Sequence, residues 1–396
     1  MRNHRRLLLG SLLAVTLPLA CCSKGETSRQ AVAPGGAAAS STVVYVGTYT
    51  DGGSRGVYRV SLDSTASGAT LGVPVLAGES RNPSFLALHP SGRVLYAVNE
   101  VDSFGGKPTG AVSAFAIDAK TGDLTLLNQQ PSEGGGPCHL GLDREGKNLL
   151  VANYGGGTVA VLPIGADGRL RPASSVQKHQ GSGPNRERQE KPHAHGIYLD
   201  KAERFALATD LGADRIFVYA FDAKAGTLTG RGAASLPPGS GPRHLAFDPA
   251  GTHVYVIDEL SNDIIAFAYD QNAGALRALQ RVPTVPAGAA AGNSTAEIAV
   301  SKDGLHLYGS NRGRDNLAVF AVDPASGRLT PQGEAAAGGR TPRHFALDPS
   351  GRLLLAAHQG SDSLSLFRLD ASGMPAPSGA SATVAKPVCV LFAPAR

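Results

Sequence analysis

The sequence predicts an all-β protein, a seven-bladed β-propeller closed on itself by its last strand. Three observations carry that expectation. A phrase of the type GPRHLAFDPAGTHVYVIDELSNDIIAFAYD (241–270) returns as TPRHFALDPSGRLLLAAHQGSDSLSLFRLD (341–370). Its entrance recurs at Pro83, Pro137, Ala194, Pro242, Thr295, Pro342 and Pro387, at spacings of 45 to 57 residues. Finally, the chain opens and closes on half-units that complement each other.

Each unit reads the same way. An apolar run such as HLAFD follows the entrance, then a PAG-type turn, then a β-rich run such as HVYVID. A polar loop, a third apolar run, a Gly-containing turn and a last strand complete it. Four strand-like runs with turn signals between them, and no helical period, describe a four-stranded antiparallel blade. Radial repetition of such blades at a period near 50 gives a propeller. VVYVGTY (43–49) matches a second strand that lacks a first, and KPVCVLFA (386–393) matches a first strand that lacks the rest. Together they make one blade, which removes a free sheet edge and locks the ring.

The expected organisation is an export signal over 1–22, a flexible tether over 23–41 and the propeller over 42–396. MRNHRRLLLGSLLAVTLPLACC has a basic start, an apolar run and small residues before Cys21 and Cys22. Arg5-Arg6 hints at twin-arginine export. Either cysteine is a candidate for lipid attachment, so the mature chain is expected to be periplasmic or anchored to a membrane as a lipoprotein. The run is too short for a lasting transmembrane helix. Residues 23–41 are rich in Ser, Ala, Gly and Pro, as in a tether.

Composition narrows the function. The 396 residues carry 17% charged side chains and a net charge of +5 with no Lys/Arg run, so no nucleic-acid partner is expected. Cys138 and Cys389 fall on inner strands of non-adjacent blades, too far apart for a disulfide, and are expected as buried free thiols. The oligomeric state is not legible.

The repeat also predicts a site. One residue after the entrance stand Ser84, Cys138, His195, Arg243, Ala296, Arg343 and Val388. Two residues after it stand Phe85, His139, Gly196, His244, Glu297, His344 and Cys389. Second strands end on the same rim, with Thr48, Asn99, Asn153, Asp210, Asp258, Asn311 and His358, followed by Tyr49, Glu100, Tyr154, Leu211, Glu259, Arg312 and Gln359. One channel mouth should therefore gather carboxylates, arginines and imidazoles, a setting that perturbs pKa values and suits acid–base work. Residues recurring in most blades, such as His139, His244, His344, Asn153, Asp210 and Asn311, either serve turn backbones or touch substrate. Glu297, Arg312 and the His193–His195 pair break the pattern and are the sharper candidates.

No third His and no Cys accompanies His193 and His195 at ligand spacing, so neither metal nor cofactor is expected. Gly-rich GGGPC and YGGGT lack the Lys-Ser/Thr of a phosphate loop. No Gly-x-Ser-x-Gly elbow is present, which argues against a serine hydrolase. HQGSGPNRERQEK (179–191) reads as a solvated insertion overhanging a rim.

GPRHLAFDPAG, PHAHGIYLD with ATDLGADRIFVYAFD, and AEIAVSKDGLHLYGSNRGRDNLAVF together resemble the propeller-type lactonase family over essentially residues 43–393. Members include 6-phosphogluconolactonase of the propeller type and carboxymuconate-lactonising enzymes. The resemblance implies a seven-bladed fold and lactone chemistry without a required metal. By motif it implies polar roles for His195, Asp210, Asp214, Arg215, Glu297, Asn311, Arg312 and Asp315. Ala194 departs from the Pro usual in the His-Pro-His entrance. The expected activity is hydrolysis of a small sugar-type lactone outside the cytoplasm. His195 or Glu297 would act as base and Arg312 as an anion-binding group. His139, Asn153, Asp210, Arg243, His244, Asn311, Arg343 and His344 would bind substrate. A lactonising cycloisomerase and a non-enzymatic binding propeller are the alternatives.

Overall fold

The computed structural model describes residues 40–64 and 68–394, together with Ala14. The rest of the leader, with Cys21 and Cys22, and the tether up to residue 39 lie outside the described residues. Among the described residues there is no helix, and the strands form seven antiparallel sheets. Six blades are consecutive in sequence. Blade 2 begins at Leu86–Leu88, blade 3 at Pro137–Leu142, blade 4 at Ala194–Leu199, blade 5 at Pro242–Phe247, blade 6 at Ser294–Val300 and blade 7 at Pro342–Leu347. Blade 1 is composite. The strand Pro387–Phe392 pairs antiparallel with Ser40–Thr48, in the register Val44↔Phe392 to Thr48↔Pro387. The ring therefore closes as the half-units require.

Neighbouring blades pack face to face through the alternating apolar residues of their strands. Val44, Val46 and Val390 of blade 1 meet Leu355, Leu364 and Leu366 of blade 7, all essentially excluded from water. Buried tyrosines add a directional tie, because a buried phenol needs a partner. Tyr45, Tyr96 and Tyr308 each donate to a Gly carbonyl in the last turn of the next blade: Gly122, Gly168 and Gly373.

The loops between second and third strands carry Asp214, Asn262, Asp315 and Asp362 in the left-handed region, at φ between 51° and 60°. Asp and Asn tolerate that conformation because their side chains bond nearby backbone. Asp214 accepts from the amides of Gly239 and Gly241, Asp315 from Thr341 and Asp362 from Lys386. Each carboxylate thus pins the crossing into the next inner strand. Cys138 and Cys389 are buried free thiols.

Candidate active site at the channel mouth

Inner strands begin with an irregularity that decides where side chains point. In blade 5 Pro242 pairs with Asp258 and His244 with Ile257, so Arg243 is an extra, unpaired residue. His195 and Arg343 are extra in the same way, and Cys138 falls between two paired neighbours. A regular strand would send successive residues to opposite faces; a bulge re-aims one of them. The bulge lets the first and second residues of each entrance serve the same mouth.

Two layers result. The outer layer centres on Glu259, which is buried. Its Oε2 lies 3.0 Å from Arg312 Nη2 and 3.1 Å from Arg243 Nε, and its Oε1 lies 2.6 Å from Arg188 Nη2. Burial alone would raise the Glu259 pKa; Arg312, Arg243 and Arg188 outweigh it and hold the group at about 2. Arg312 is pulled down to about 10 by burial and by Arg243 and Arg343, with Glu259 opposing. It stays charged at neutral pH. Arg312 Nη2 also donates to the Thr295 carbonyl at 2.6 Å, and Arg243 Nη1 to that of Ala296 at 2.7 Å. Across the mouth, Arg343 Nη2 donates to Tyr49 Oη at 2.8 Å, and Tyr49 donates to Glu100 Oε2 at 2.9 Å.

The inner layer is a set of imidazoles around one carboxylate. His244 Nδ1 is 3.0 Å and His344 Nε2 3.4 Å from Glu297 Oε2, while Glu297 Oε1 accepts from the Ile298 amide at 3.1 Å. The rings of His195 and His139 lie 5.1 Å and 5.2 Å from that of His244. Phe85 packs 4.3 Å from His139. Burial pushes Glu297 above the usual carboxylate range, against His344 and Arg243. Burial, then Arg243, holds His195 and His244 well below the usual imidazole value. His139 is lowered by burial and the neighbouring His244, and His344 falls to about 4. All four rings are therefore neutral at neutral pH.

Eight of the expected site residues thus meet in one place: His139, His195, Arg243, His244, Glu297, Arg312, Arg343 and His344. Three do not face that space, and the substrate-binding expectation for them is corrected. Asn153, Asp210 and Asn311 are wholly excluded from water. Asn153 donates to the Ser132 carbonyl and Thr158 Oγ1, and Asn311 bonds Thr284, Asn293 and Asn316. Asp210 accepts from His179 Nδ1 and from the amides of His193 and Ala213. Asp214 and Asp315 hold the blade crossings described above, and Arg215 is exposed on the third strand of blade 4.

The 179–191 segment also differs from the expectation of a solvated insertion. His179 and Gln189 are buried, and Gln189 Nε2 donates to Leu211 O and Asp214 Oδ1. These anchors bring Arg188 onto Glu259. Glu259 was legible in the repeat, at the position that holds Arg312 in the next blade; Arg188, on an insertion, left no periodic signal.

Among the described residues no group of three or more His, Cys, Asp or Glu is arranged to hold a metal ion. A cavity of about 940 Å³ lies away from the mouth, between His89, Asp143, Asn148 and Gly168. Its Asp143 is spent on the amides of its own turn.

Residues 43–392 match the family model of the seven-bladed β-propeller lactonases. The chain belongs to the seven-bladed propeller lactonase family. Within this lactonase family it is similar to a 6-phosphogluconolactonase of Bacillus subtilis, 41% identical over 285 residues, covering 72% of this chain and 79% of that one. A 6-phosphogluconolactonase of Formosa agariphila is 32% identical over 253 residues, covering 63% of this chain and 70% of that one. Among solved structures, the periplasmic gluconolactonase of Pseudomonas aeruginosa superposes with a TM-score of 0.84 at 35% identity, over 90% of this lactonase-family chain and all of the other.

Proposed function

We propose that this protein is an exported lactonase that hydrolyses a small sugar-type lactone at the channel mouth. The observation that carries the reading is the pair Arg243 and Arg312, locked on Glu259 beside the neutral ring of His195. Relatives named 6-phosphogluconolactonase and gluconolactonase support the substrate type.

Hydrolysis adds water to the lactone carbonyl, passes through a tetrahedral oxyanion and breaks the bond from carbonyl carbon to ring oxygen. The products are a carboxylate, a hydroxyl and a proton. A base must take a proton from water, and cationic donors must meet the oxyanion. His195 suits the base: it sits on the bulge, it is neutral, and its Nδ1 lies 3.7 Å from the weakly polar Cys138 Sγ. Arg243 and Arg312 supply the positive field for the oxyanion and then for the product carboxylate. Glu259 fixes both guanidiniums before substrate arrives, so little reorganisation is needed. Glu297 has both oxygens engaged, and it orients His244 and His344.

The basic, apolar leader with Cys21 and Cys22 supports export and lipid attachment, and one structural relative is named as periplasmic. Purified protein should accelerate opening of D-glucono-δ-lactone or its 6-phosphate above the uncatalysed rate. Rates equal to background on both sink the enzymatic reading. Fractionation of cells expressing the full chain, with and without residues 1–22, tests export; soluble cytoplasmic recovery of both forms sinks it.

A further inference from the structure

Arg188 stands apart from the other arginines of the outer layer. Its side chain is 41% exposed, against 3% for Arg243 and 14% for Arg312. It takes Glu259 Oε1, while the two inner arginines share Oε2. Glu259 therefore faces inward with one oxygen and outward with the other. Three guanidiniums on one carboxylate leave a surplus of two positive charges, and the exposed share of it is on Arg188.

The segment that carries Arg188 is held rigidly. Gly183 and Gln189 close a loop by Gly183 N to Gln189 O at 3.0 Å, and Arg188 N donates to Asn185 O at 3.2 Å. The Gln189 side chain is wholly buried between Leu211 and Asp214. Further along, a Cβ at Gly212 would lie 1.9 Å from the Lys191 carbonyl, so the segment runs directly over the second-to-third strand loop of blade 4. Arg188 Nη2 also reaches Tyr154 Oη at 3.3 Å, and the Tyr154 ring meets His195 edge-on at 5.5 Å. Arg188 thus marks the solvent side of the pocket that His195 closes from within.

We propose that Arg188 is a specificity-determining residue that binds the far end of the lactone and favours substrates with an anionic substituent there. The inference rests on the lactonase reading of the site. With the carbonyl held inward by Arg243 and Arg312, the exocyclic end of a sugar lactone points outward, toward Arg188. A phosphoryl or carboxylate group at that end meets a guanidinium that is pre-positioned and still partly in water. A neutral hydroxymethyl end gains much less from it. Glu259 retains Arg243 and Arg312 when Arg188 turns to the ligand, so that pair is not disturbed.

The test compares D-glucono-δ-lactone with its 6-phosphate on wild type, Arg188→Ala and Arg188→Lys. Loss of one charge-assisted contact should raise KM for the phosphorylated lactone about 10- to 100-fold in Arg188→Ala, with kcat changed less than about threefold. KM for the neutral lactone should move less than about threefold, and Arg188→Lys should recover part of the loss. Equal changes on both lactones, or none on either, overturn the inference. Calorimetric binding of 6-phosphogluconate against gluconate reads Arg188 independently of turnover. If wild type turns over neither lactone but binds 6-phosphogluconate more tightly in an Arg188-dependent way, the hydrolytic reading fails and this inference stands. If Arg188→Ala binds the phosphorylated acid as wild type does, the inference fails whatever the turnover.

Discussion

Glu259 Oε2 and Arg312 Nη2 lie 3.0 Å apart although they stand on adjacent blades, 53 residues apart in sequence. With Arg243, also on Oε2, they form a buried ion triad whose members depend on each other. Removing one partner from a buried pair leaves an uncompensated charge, which typically costs about 3 to 5 kcal/mol. Glu259→Gln should therefore lower stability by about that much in denaturant titration, and should lower kcat/KM as well. Arg188 is too exposed to contribute much of this. Unchanged unfolding and unchanged kinetics in Glu259→Gln are incompatible with the triad.

His195 as base makes a kinetic prediction. General base catalysis contributes about 10²- to 10⁴-fold, so His195→Gln should reduce kcat by a factor in that range and leave KM nearly unchanged. The variant's folding, checked by its thermal midpoint, should stay close to wild type.

The same residue predicts a pH profile. Burial and Arg243 hold the His195 ring well below the usual imidazole value. The free base therefore persists as pH falls through 6.5, and kcat/KM should hold level there before declining at lower pH. A profile that falls with a midpoint near 6.5 contradicts this assignment.

His358 is a buried imidazole with neither ring nitrogen bonded, and burial lowers its pKa to about 4. Its folded value is below its unfolded value of about 6.5. The unfolded chain therefore takes up a proton first, and folded stability drops as pH falls from about 6.5 to about 4, then levels for this group. His344 adds to the same window. His358→Leu removes one contributor and should flatten the fall of the thermal midpoint between pH 7 and pH 4. An identical slope in wild type and variant refutes the role of His358.

Ring closure depends on the strand Pro387–Phe392, which buries Cys389 and Val390 and supplies the inner edge of blade 1. A chain ending at residue 384 should lose cooperative unfolding and expose the edge of Ser40–Thr48, with aggregation as the outcome. A soluble truncated chain with the wild-type melting profile contradicts closure.

Much of this architecture is legible in the residues alone. The recurring entrance at Pro83, Pro137, Pro242 and Pro342, the four runs per unit and the complementary ends fix blade number, strand order and closure, because each blade repeats one local solution. The repeat also names the mouth residues, since equal positions in a ring fall at equal heights. What the residues alone leave open is direction. Alternation along a strand would part His195 from Gly196 and Arg243 from His244, and only the bulged pairing Pro242↔Asp258, His244↔Ile257 explains how both enter one site. Asn153, Asp210 and Asn311 stand at a repeat position that is buried in every blade, one residue before the position of Glu259 and Arg312, because the loops beside them carry backbone amides and carbonyls that need partners. Arg188 belongs to a single insertion with no periodic counterpart. Its place depends on Gln189 finding Asp214 and Leu211 across the chain, a long-range fit that only tertiary packing decides.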